Sequence, residues 1–106
     1  MNISDRYRQV VNDARALLET LSPPDSAEPG RELRSVTQAV QELAELQEKV
    51  GEIPRIRLES QLTPVLLKAH GYLDRARLSL EEDGREDAAA AVWDMEQKVY
   101  RLLNEL

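Results

Sequence analysis

The sequence predicts an all-α protein, an antiparallel up-down bundle of four helices, and three observations carry that expectation. The segments between proline and glycine breaks have a helical apolar period rather than an alternating one. Aromatic residues are few, three Tyr and one Trp with no Phe, so the core is aliphatic and drawn from Leu, Val and Ala. The four segments put roughly 70% of the chain in helix, about twice the ordinary share, and their short connections favour antiparallel neighbours. At 106 residues the chain builds one core, so 1–106 is read as one helical-bundle domain.

The first helix is expected from about Ser4 to Leu21. Ile3, Tyr7, Val10, Ala14, Leu17 and Leu21 recur three or four residues apart, and Val11 and Leu18 widen the stripe. Ser4 is the expected N-cap, with Asp5 beside the positive end of the helix dipole. Residues 22–30, SPPDSAEPG, contain three prolines, which denies a regular helix too many amide donors and predicts a loop. A second helix follows, with Leu33, Val36, Val40, Leu43 and Val50 on its stripe, ended by Gly51 and Pro54. Its start falls either at a Ser26 cap or after Gly30.

In the third segment Leu58, Leu62, Val65, Ala69, Leu73, Ala76 and Leu80 keep one stripe straight through Pro64. A helix start at Thr63 is preferred over a kink, because proline at the first helical position sacrifices no hydrogen bond. Arg55 to Gln61 then forms a short extra helical turn before the third helix. Asp83-Gly84 closes that helix, and the fourth runs from about Asp87 to Leu106.

Composition narrows the function. Twenty acidic against fourteen basic residues give a net charge of -6, which opposes attraction to nucleic acid and to anionic lipid. No cysteine means no thiolate metal site and no cysteine nucleophile. The N-terminus lacks a signal-length apolar run and no stretch reaches membrane-span length, so the expectation is a soluble, cytoplasmic protein. One histidine, scattered carboxylates and no nucleotide-binding glycine loop predict no enzyme, no metal and no cofactor. His70 and Asp74 share a helix face, which raises an alternative: a signalling or ligand-binding bundle that uses His70, in the manner of phosphotransfer domains. The hallmark of those domains, His-x-x-Lys-Gly, is not met, since Leu73 holds the lysine position and Asp74 would repel a phosphoryl group.

Surplus apolar surface points elsewhere. On the third helix Leu67, Gly71 and Leu78 fall about 100 to 140° from Leu66, with His70 and Asp74 adjoining. On the fourth an arc of about 180° runs from Leu102 through Val92, Val99 and Leu103 to Trp93 and Tyr100, wider than a surface helix needs. Either this helix is central and buried by the other three, or the surplus docks another protein chain or a second copy, making a homodimer or an adaptor. Glu96 sits mid-arc, where a buried carboxylate demands a partner such as an arginine or His70. Gln47, central on the second stripe, similarly predicts a polar contact within the core or at a subunit boundary. The expected partner-binding residues are therefore Leu67, His70, Gly71, Asp74, Leu78, Trp93, Glu96 and Tyr100.

Overall fold

Four amphipathic stripes meet in one aliphatic core. The computed structural model describes residues 2–21 and 30–106, so the expected proline-rich loop at 22–29 lies outside the described residues. The elements are α1 (Ile3–Leu21), α2 (Arg31–Ala44), a 3-10 turn (Val50–Glu52), α3 (Arg55–Glu82) and α4 (Glu86–Glu105). Neighbours pack in a ring, α1 on α2 and α4, and α3 on α2 and α4. Val11, Ala14, Val36, Leu43, Leu66, Leu73, Val92 and Val99 are among the core side chains closed off from solvent. Tyr7 joins them because its hydroxyl donates to the Leu43 carbonyl oxygen, which satisfies the one polar atom it buries.

The chain termini of the helices differ from expectation in three places. Asn2, not Ser4, caps α1: its Oδ1 accepts the Asp5 amide at 2.8 Å. That frees the Ser4 hydroxyl, already inside the helix, to donate to the Val50 carbonyl at 3.2 Å and pin the 3-10 turn. Regular α2 ends at Ala44 rather than continuing to Val50. Beyond it three-residue turns, Gln47 N–H to Ala44 O at 3.1 Å and Glu52 N–H to Lys49 O at 2.8 Å, flank one α-type bond from Val50 N–H to Leu46 O at 2.8 Å, and Val50 lies in the core. Gln47 makes no core contact: its side-chain amide donates to Asn12 Oδ1 at 3.3 Å on the exposed surface, and its backbone carbonyl accepts from Arg8 at 3.3 Å.

The third difference is the largest. α3 does not begin at Thr63 but runs unbroken from Arg55 through Pro64 to Glu82. Pro54, extended at ψ 141°, supplies the start, and the Arg57 amide bonds its carbonyl at 2.8 Å. A proline in a helix interior costs about 3 kcal/mol, comparable with what full burial of one leucine returns, about 1.5–3 kcal/mol. Leu62, fully buried on the stripe that Leu66 continues, is that leucine, while exposed Pro64 faces away from the core. At the other end Gly84, at φ +75°, makes the turn into α4. Arg85 N–H bonds Leu80 O at 2.9 Å and Gly84 N–H bonds Glu81 O at 3.1 Å, the paired closure of a glycine-terminated helix.

Candidate functional site

The outer face of the α3–α4 hairpin holds all eight residues that the sequence singled out. The two helices run antiparallel, and two cross-helix contacts fix their register. The His70 ring lies 6.5 Å from that of Tyr100, tilted by 54°. Two turns along α3, Arg77 Nε donates to Glu96 Oε2 at 3.3 Å. Around α3, His70 and Arg77 flank the buried stripe on the α4 side, and Asp74, Leu67 and Leu78 follow further out.

Glu96 is 2% exposed in the middle of this face, a carboxylate taken out of water by the residues around it. Its partner is Arg77, which was not among the residues expected at the site. Arg77 also donates to Asp74 Oδ1 at 2.7 Å and to Glu81 Oε1 at 2.8 Å, so one guanidinium serves three carboxylates. The signal was present: Asp74, Arg77 and Glu81 are spaced three and four residues apart, which stacks them on one helix face.

This arrangement sets the acidities apart. Burial pushes Glu96 up to about 7, and its neighbour Asp74 adds to the rise, while Arg77 opposes it. Asp74 is held below the ordinary carboxylate range, first by its hydrogen bond to Arg77. Its hydrogen bonds to Asp74 first and then to Glu81 hold the Arg77 guanidinium firmly charged. Glu96 Oε1 has no hydrogen-bond partner among the described residues. With Oε1 unpaired and out of water, the charged form of Glu96 is disfavoured, so the buried carboxyl keeps its proton.

Around this polar centre the apolar side chains stand open. Leu67 is 57% exposed, Leu78 47%, Trp93 49% and Tyr100 53%. α4 is therefore not the enclosed central helix of the alternative reading: Val92, Val99 and Leu102 face the core, while its two aromatic rings project outward. Trp93 borders a cleft of about 470 Å³ with Arg77, Glu81, Glu86, Ala89 and Ala90. Gly71 is exposed, and among the described residues nothing beyond its immediate neighbours and its own helix backbone lies within 4 Å of where a Cβ would stand, so no close packing against another element requires glycine there. Ile56, 91% exposed at the start of α3, was missed because Arg55 to Gln61 was read as a separate turn and not as part of the helix that carries Leu67 and Leu78.

Chemistry has little to work with here. His70 is half-buried against Tyr100, and its carboxylate neighbour Asp74 is already engaged by Arg77. Among the described residues no group of three His, Asp or Glu is placed to hold a metal ion, and no helix is long and apolar enough to cross a membrane. Comparison with known protein families, with characterised proteins and with solved structures gives no match to this chain, so the functional reading stands on its geometry.

Proposed function

We propose that the chain is a non-catalytic protein–protein interaction module, an adaptor or small subunit that docks through the outer face of the α3–α4 hairpin. The single observation that supports this most is the coincidence of four half-exposed large apolar side chains, Leu67, Leu78, Trp93 and Tyr100, on one face. Scattered exposed leucines need no explanation, but a cluster that adds two aromatic rings beside an arginine has the composition of an interface core. The ion network adds direction: Arg77 and its three carboxylates offer polar groups at fixed positions between the apolar anchors. The alternative, a signalling bundle that uses His70 chemically, has less support, since an anion and a packed ring occupy its surroundings.

Photo-cross-linking tests the docking reading. A photoreactive phenylalanine analogue placed singly at Leu67, Leu78, Trp93 or Tyr100 is expected to give protein adducts in the native cell. The same analogue at Ala16, Arg34 or Gln38, exposed on α1 and α2, is expected to give none. Equal adducts from both sets, or none from the first, would overturn the reading.

A further inference from the structure

We propose that the occupant of this face is a second copy of the chain, with the two α3 helices packed antiparallel about a twofold axis at Leu67. The inference rests on the docking reading and names its partner. Ile56, Leu67 and Leu78, all exposed, follow one another at steps of eleven residues along a single helix. Eleven residues make three turns plus about 20°, so the three side chains form one line about 33 Å long. That line runs most of the 43 Å length of the molecule. Even spacing makes it its own complement on reversal: Leu67 meets Leu67, and Ile56 of each copy meets Leu78 of the other. A twofold contact needs such a self-matching patch.

Charge obeys the same symmetry. α3 begins with Arg55 and Arg57 and ends with Glu81, Glu82 and Asp83. Antiparallel pairing brings the arginines of each copy within about a turn of the acids of the other, at both ends; parallel pairing would set like charges together. α4 completes the seat. The register set by His70 with Tyr100 and Arg77 with Glu96 puts Trp93 within a turn of Leu78, so Ile56 of the second copy enters between them. Tyr100 stands beside the axis. Gly71, one turn from Leu67, weakens the helix it sits in and packs against no other element among the described residues, whereas it gives a second helix room to approach.

Sedimentation equilibrium from micromolar to near-millimolar protein tests the pairing, with folding of each variant checked by circular dichroism. The mass is expected to rise from 12.1 kDa toward twice that value as concentration increases. Leu67→Asp, which sets two carboxylates against each other on the axis, is expected to remain monomeric. Arg55→Glu with Arg57→Glu, and separately Glu82→Lys with Asp83→Lys, are each expected to weaken self-association roughly tenfold or more, about 1.4 kcal/mol. Mixing the two charge-reversed chains is expected to restore it, because each end of the mixed pair then regains opposite charges. A wild-type mass fixed at 12.1 kDa at every concentration overturns the pairing, as does a mixture that fails to recover. Neither result touches the docking reading, whose cross-links would then appear at masses other than that of two chains.

Discussion

At the scale of single residues, Glu96 is the most consequential. In the folded chain it keeps its proton up to about 7, whereas its ordinary value is 4.5. Its contribution to stability is therefore whole below about pH 4.5 and is lost as pH rises from there through 7. Asp74, held low, works in the opposite sense: its contribution is present above its ordinary 3.8 and is lost as pH falls beneath that value. The pair predicts greatest stability between about pH 4 and 5. Glu96→Gln removes the titration, so urea unfolding should show the variant without the decline between pH 4.5 and 7. Above pH 7 it should be more stable than wild type by roughly 1–3 kcal/mol, the usual cost of an unsatisfied buried polar group. Parallel pH profiles for the two proteins would contradict the assignment. Gly71→Ala, with open space around the new methyl group, should stabilise the fold by about 0.5–1 kcal/mol, which thermal unfolding reads as a rise of several degrees. His70→Ala should leave docking within about 1 kcal/mol of wild type, since the ring is peripheral to the apolar anchors. The demand of Glu96 for a partner was legible in the sequence, because its position on the α4 arc shows burial. Arg77 as that partner was overlooked, although its spacing from Asp74 and Glu81 stacks all three on one face of α3.

At the scale of elements, the four helices were legible because each has a stripe with the helical period. Their ends were less so. Asn2 and Ser4 are both good caps, and only the distant Val50 carbonyl decides that Ser4 has another task. The end of α2 was hidden for a related reason: the chain beyond Ala44 stays coiled through three-residue turns and one α-type bond, so Val50 reaches the core without a regular α-helix to carry it. Pro64 was misread because local chemistry favours a helix start there, and burial of Leu62 two residues earlier offsets that preference. This makes a prediction for α3 itself. Pro64→Ala restores a missing amide donor at an exposed position, so it should stabilise the protein by about 1–3 kcal/mol in urea unfolding. A destabilised variant would mean that the proline is needed where it stands.

At the scale of the whole molecule, the apolar excess of the second half was legible in the sequence, and the structure leaves it outside the core rather than within it. Ile56 shows what the misplaced helix start concealed: Leu67 and Leu78 were read as an outward patch, and Ile56 joins their line only once α3 is seen to run unbroken from Arg55. The account's central claim is that a second copy of the chain covers this face, and Trp93, the one tryptophan of the chain, stands on it as a built-in reporter. The most direct test is Trp93 fluorescence and its quenching by acrylamide, followed across a wide range of protein concentration. The account predicts water-exposed emission with ready quenching in dilute solution, moving to shorter wavelength and weaker quenching as concentration rises, and no such movement in Leu67→Asp. Emission and quenching that stay unchanged from the lowest concentration to the highest would contradict it.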